Sequence, residues 1–242
     1  MKLLAAVTVF LPSVALARES SALIGNEGMA SRPVAMMAML AVMALLPFAA
    51  LMLTSFSKIA VVLSIARTAM GTQQAPPTIV LTGLAMVLTA HIMSPVMTKM
   101  YAAGEVAFST VEGGGQVLAS AVTVTNPLRE FLVKHGSADD RARFAEWARE
   151  LRPVEEAGEV TEEDLFVVIP AFVITELKEA FQIGFLIFLP FLVVDMVIAN
   201  VLLALGMQSL SPTQVSLPFK ILLFVAIDGW ALLARGLILG YR

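Results

Sequence analysis

Six ionisable residues stand inside or beside the most apolar stretches of this chain. Glu176, Lys178 and Glu179 fall in the segment TELKEA, Asp195 lies among Val193, Val194 and Met196, and Lys220 and Asp228 lie near the C-terminus. A charge at membrane depth is costly unless it pairs or faces a wet cavity, so residues of this kind mark function or assembly rather than a passive anchor. Glu176 and Glu179 are three apart and share a helix face, with Lys178 off that face. Lys220 and Asp228 are eight apart and share a face more loosely. Three chemistries fit the set. The residues can form pairs within the assembly, with Lys220 meeting Asp195 or Asp228 across a hairpin. They can line an ion or proton path through Asp195, Lys220 and Asp228. Or their helices can leave the bilayer inside a larger complex, where protein replaces lipid and charge costs less. Mixed sign favours pairing, since a relay is usually rich in acids and histidine.

Enzymatic chemistry has little to stand on. The two histidines, His91 and His135, are isolated, and neither an HExxH motif nor a paired carboxylate–histidine spacing is present, so no metal or other cofactor is expected. The nucleophile elbow and the phosphate-binding loop are also missing from the sequence. With no cysteine there are no disulfides and no thiolate ligands. A net charge of −3 without a basic stripe excludes nucleic acid as a partner.

These residues must be positioned by membrane-length helices. The chain of 242 residues is 58% hydrophobic and only 14% charged, well outside the range of soluble domains. The composition points to an all-α integral membrane protein of about four long hydrophobic helices in hairpins. Residues 1–17 have a secretory-signal pattern, with Lys2, the apolar run from Leu3 to Val14, and Ala15-Leu16-Ala17 before Arg18; an uncleaved anchor is the alternative. Residues 18–33 read as a linker. Residues 34–99 read as a first helical hairpin, from an apolar run at Val34–Leu53 to a second at Ile79–Val96 ending at Pro95. Lys58, Arg67 and the turn-rich segment Gly71, Gln73, Gln74, Pro76 and Pro77 fall in its loop region, of which Ile59–Ala66 can continue as helix. A cleaved signal puts the N-terminus outside, and the two cations then place this loop on the cytoplasmic side.

Residues 100–164 form a polar, partly helical extracytoplasmic segment. Gly113-Gly114-Gly115 reads as a break, Asn126-Pro127 as a helix start, and Asp139–Leu151 as a helix with Phe144, Trp147 and Leu151 on one stripe. Thr161 is a candidate N-cap for the apolar helix on its C-terminal side. Residues 165–242 read as a second hairpin. Its first arm, Phe166–Leu205, is twice one span length and is expected to break near TELKEA and again at Pro190. A tight loop at Gly206–Gln214 then leads into Val215–Leu239.

Four blocks carry a resemblance. MLTSFSKIAVVLSIARTAMGTQQAPP (Met52–Pro77), IMSPV (Ile92–Val96), IPAFVITELKEAFQIGFLIFLPFLVVDMVIANVLLALGM (Ile169–Met207) and LSPTQVSLPFKILLFVAIDGW (Leu210–Trp230) resemble the FliP/SctR family of bacterial type III secretion export-gate proteins. The resemblance implies a non-enzymatic, pore-forming subunit in the bacterial inner membrane, within a secretion system or flagellar basal body. It implies a ring of about five copies with FliQ/SctS-like and FliR/SctT-like membrane subunits. Large export-gate and basal-body ring proteins surround them, and unfolded secreted proteins pass through. It also implies that the loop after the third block closes the pore with flexible methionines. Here that loop is Gly206, Met207, Gln208, Ser209 and Leu210, so a soft gasket falls to Met207 and Leu210, and only Met207 matches the family's methionine run. GTQQAPP and the signal-like N-terminus resemble the flagellar branch, DGWALLARGLILGY (Asp228–Tyr241) the injectisome branch, and the reading leans to the injectisome.

Overall fold

The computed structural model describes residues 33–72, 74–109, 114–153, 158 and 160–242. The expected signal peptide, the linker up to residue 32, Gly113 and Gln73 lie outside the described residues. Every regular element among those described is a helix: α1 Pro33–Met52, α2 Phe56–Ala69, α3 Thr78–Ser109, α4 Gly114–His135, α5 Ala138–Glu150, α6 Leu165–Ala204, α7 Pro212–Ala226 and α8 Gly229–Leu239. Two of them, Thr78–Val106 within α3 and Leu165–Ala204, are long and apolar enough to cross a membrane, and up to four spans result if each bent helix pair counts as one. The all-α membrane fold therefore stands. The chain divides into two compact units, Met1–Thr54 with Met93–Phe172 and Ser55–Ile92 with Val173–Arg242.

In the first unit the core is written on one face of α4. Val124, Leu128, Phe131 and Leu132 recur at helical spacing and are buried, and the Phe131 ring lies 5.8 Å from that of Phe172. Asn126-Pro127 does not open this helix. α4 runs through Pro127 from Gly114, because Val124 and Leu128 share the buried face only if the helix is continuous across the proline. Gly114 and Gly115 are accordingly its first residues and not a break. α5 forms where expected, but its stripe is displaced. Ala145 is the residue buried against Val160 and Val167, with Phe144 and Ala148 beside it, while Trp147 and Leu151 are exposed. Thr161 caps nothing directly. Its N–H and hydroxyl both reach the Asp164 carboxylate at 3.0 Å, and the Asp164 carbonyl accepts the N–H groups of Val167 and Val168 at the start of α6.

The second unit is built around α2. Ile59, Val62, Leu63 and Ala66 occupy i, i+3, i+4 and i+7 and are buried, so the region between the first two apolar runs is mostly core helix rather than loop. The loop proper shrinks to residues 70–77. Gly71 turns the chain there at φ 77°, a left-handed conformation that glycine adopts without strain.

α6 is one helix of 40 residues, about 60 Å long, and breaks neither at TELKEA nor at Pro190. Leu, Glu, Lys and Ala are strong helix formers, so the charges decide which face is buried, not where the helix ends. Pro190 removes one backbone donor from an otherwise continuous ladder. α3 likewise continues past Pro95. The last apolar run does break, at Asp228 rather than Lys220. Asp228 adopts φ 52° and ψ 53°, and α7 and α8 meet there at 59°.

Candidate functional site

The polar residues of the second unit gather in two buried clusters and one exposed tip. The first cluster is centred on Lys58, which α2 carries on its buried face. Its ammonium lies 2.8 Å from Glu176 Oε1 and 2.6 Å from Glu179 Oε2, and 4.2 Å from the centroid of the Tyr241 ring. Lys58 is thus a buried helix cation and not a loop residue. Glu176 and Glu179 reach it together because their three-residue spacing puts both carboxylates on one side of α6. Glu176 is wholly buried, whereas the Glu179 side chain is 47% exposed, so the surplus negative charge of the trio stays on the solvated acid. Glu176 Oε2 accepts the Tyr241 hydroxyl, while Oε1 faces the ammonium as an ion pair without a well-aligned hydrogen bond. Burial, and after it the negative charge of Glu176 and Glu179, push the Tyr241 phenol up from its ordinary value, which keeps it protonated and fixes it as the donor. Lys178 points off this face and is exposed.

The second cluster staples the hairpin between α6 and α7. Lys220 Nζ donates to Asp195 Oδ2 at 2.6 Å, and Ser216 Oγ donates to Asp195 Oδ1 at 2.5 Å. Ser216 and Lys220 are both buried, and they meet one carboxylate because four residues bring them to the same face of α7. One turn away, Phe191 and Phe224 pack with Ala69 and Met70. Asp228 takes no part, since it is exposed at the α7–α8 bend.

Beyond this staple the chain turns at the hairpin tip. Gly206 at φ 70° ends α6, with the Met207 N–H on the Leu202 carbonyl at 2.9 Å and the Gly206 N–H on the Leu203 carbonyl at 3.0 Å, the paired bonds of a Schellman stop. Met207, Gln208, Ser209 and Leu210 come next, all exposed. At the loop that follows α2, Arg67 is a fastener. Its Nη1 donates to Thr78 Oγ1 at 3.0 Å and to the Pro76 carbonyl at 3.4 Å, and the Thr72 hydroxyl donates to the Arg67 carbonyl at 3.3 Å. Gln74 and Pro77 are exposed in this loop.

Sequence reasoning paired Lys220 with one of two acids but missed Ser216 and Tyr241. Ser216 was legible as the polar residue one turn before Lys220. Tyr241 had no local signal, because it lies 65 residues from its acceptor. Among the described residues no group of acids and histidines converges in a way that could hold a metal ion.

A model of the FliP family matches residues 39–237. The chain is 45% identical over 201 residues to the hypersensitivity response secretion protein HrcR of Ralstonia nicotianae, covering 82% of this chain and 93% of that protein. It is 43% identical over 205 residues to Yop proteins translocation protein R of Yersinia pestis, covering 84% and 93%. It is 38% identical over 245 residues to the flagellar biosynthetic protein FliP of Caulobacter vibrioides, covering 100% and 90%. Matched over residues 39–237, which hold every residue of the two buried clusters except Tyr241, this chain belongs to the FliP family.

Proposed function

We propose that this chain is a pore-forming, non-enzymatic subunit of a bacterial type III protein export gate in the inner membrane, through which unfolded substrate proteins pass. The observation that carries the reading is the hairpin tip. A rigid pair of helices, stapled by Asp195, Ser216 and Lys220, presents Met207 and Leu210 at an exposed turn. Flexible and branched apolar side chains on a fixed support suit a soft seal that several copies can close around a moving chain. Several copies of this chain, with FliQ/SctS-like and FliR/SctT-like subunits, complete the pore. The block Asp228–Tyr241 supports the injectisome branch over the flagellar one.

Ion- or proton-coupled transport through Asp195, Lys220 and Asp228 is the rival, and the closed Asp195–Lys220 pair with Asp228 apart from it speaks against it. Co-expression with the two small partner types, followed by native mass in mild detergent, separates the readings. A discrete complex with several copies of this chain is the expected result, and a monomer binding no partner overturns it. Asp195→Asn sharpens the choice. As a structural pair its loss disrupts assembly, whereas a transporter would stay assembled and lose ion flux.

A further inference from the structure

The bend between α7 and α8 is held at a cost. Asp228 takes φ 52° and ψ 53°, a left-handed conformation that strains an L side chain, and no other non-glycine residue among those described has a positive φ. Aspartate enters this conformation most readily when its side chain bonds locally, but the Asp228 carboxylate makes no capping bond. The hydrogen-bond ladder is cut as well. The Ile227 N–H donates to the Leu223 carbonyl and the Asp228 N–H to the Val225 carbonyl, and the next backbone donor with a partner is Leu232, on the Asp228 carbonyl. The N–H groups of Gly229, Trp230 and Ala231 thus have no backbone acceptor among the described residues. With Asp228 in the right-handed region, α7 and α8 would run on as one helix of about 42 Å from Pro212 to Leu239, and those donors would meet the carbonyls of Val225, Ala226 and Ile227.

Contacts made by α8 offset that cost. Gly229 is buried against the Phe224 ring, which a Cβ at that position would strike. The Trp230 ring meets Phe224 edge-on at 5.0 Å, and Leu233 packs against the cluster of Ala69, Met70, Phe191 and Phe224. At the far end Leu237 and Tyr241 are buried, the Tyr241 hydroxyl donates to Glu176, and its ring lies 4.2 Å from the Lys58 ammonium. Asp228 itself is exposed, so the bend depends on these contacts and not on its own side chain. Strained backbone persists only where the surroundings over-determine it, and such positions recur at switches. Turning α8 through the 59° of the bend would move its far end by roughly 20 Å, which takes Tyr241 out of its pocket.

We propose that α8 is a hinged arm, bent at Asp228 and latched by Tyr241 on Lys58 and Glu176, and that unlatching lets α7 and α8 straighten into one helix. A residue at the end of an element, absorbing the whole backbone change, is the usual form of such a hinge. The staple of Asp195, Ser216 and Lys220 lies before the hinge, so the arm swings with the Met207–Leu210 tip left in place. What changes is the surface along α2 and α6. Glu176 loses its hydroxyl donor and keeps Lys58, and the place of the Tyr241 ring is vacated. Both ends of the arm belong to one chain, so the device stands whether or not several copies assemble.

Distances within one chain test the arm. The chain has no cysteine, so spin labels attach only to introduced Phe181→Cys and Leu239→Cys, both at exposed positions. The labelled full chain is co-expressed with an excess of cysteine-free chain and read in mild detergent by double electron–electron resonance. The labelled parent is expected to give one distance, that of the bent arm. Tyr241→Ala is expected to add a second, equally narrow distance, longer by more than about 10 Å. Adding Asp228→Gly should return most molecules to the short distance, because glycine is unstrained at the bend and poor in a straight helix. A single short distance in Tyr241→Ala would overturn the latch. A broad spread would show α8 fraying instead of straightening, and a long distance unmoved by Asp228→Gly would exclude Asp228 as the hinge; either overturns the proposal. If Tyr241→Ala does not fold, Tyr241→Phe takes its place, with a smaller shift in the same direction. Thermal unfolding gives a second readout. Asp228→Gly should unfold at a higher temperature than Asp228→Ala, the reverse of their order in a regular helix. Alanine above glycine would mean that the resting arm is straight, and would overturn the proposal.

Discussion

At the scale of single residues, the Lys58 cluster governs stability most sharply. Breaking a buried ion pair from one side strands the other charge and costs about 3–5 kcal/mol. Lys58→Met should therefore lower the detergent unfolding temperature of the purified chain severely, because Glu176 is wholly buried. Glu179→Gln should change it little, about 1 kcal/mol or less, since that carboxylate is half in solvent. Equal losses in the two variants would contradict this division of roles. Tyr241→Phe keeps the ring beside the ammonium and removes only the O–H that Glu176 accepts, a loss of about 1.5–3 kcal/mol for a hydrogen bond to a charged group. Tyr241→Ala removes both contacts and should cost more in the same unfolding measurement.

At the scale of elements, the approach of α2 to α6 is set by Gly184. A Cβ built there would lie 2.5 Å from Ile65 Cδ1 and 2.9 Å from its Cγ2, so both branches of the isoleucine press against the glycine. Gly184→Ala should destabilise the second unit by about 1–3 kcal/mol through overpacking. Ile65→Ala in the same chain should recover part of that loss, giving a non-additive double-mutant cycle; simple additivity would show that the two helices do not meet there. Gly206 is an element boundary of another kind. Gly206→Ala meets no steric neighbour but must hold φ 70°, at a cost of about 1–2 kcal/mol. Its effect should appear as altered secretion at nearly normal assembly, because the hairpin below the turn keeps its Asp195–Lys220 staple.

At the scale of the whole molecule, the proposed gate makes the hairpin tip the residue-level control of leakage. Met207→Ala should raise ion conductance of the assembled complex in planar bilayers while leaving the native mass unchanged. Leu210→Ala should act in the same direction, and the pair together more strongly. Conductance equal to that of the unaltered complex in all three would remove Met207 and Leu210 from any seal.

Composition and pattern alone determined that this is a helical membrane protein, since 58% apolar residues in membrane-length runs admit few other solutions in lipid. The same runs located the tip at Gly206 and singled out Glu176, Lys178, Glu179, Asp195, Lys220 and Asp228 as residues needing partners, because a charge in an apolar run is conspicuous whatever the fold. Tertiary structure decided which partners they have. Lys58 looked like a loop cation and became the centre of the core, because only the packing of α2 against α6 brings it within 3 Å of two acids. Proline and charge suggested breaks in α4 and α6 that long-range burial overrode, whereas Asp228, with no proline beside it, broke the last run. Local sequence reports what a segment prefers in isolation. Whether a helix continues, and which distant hydroxyl satisfies a buried carboxylate, depends on neighbours tens of residues away that no local pattern encodes.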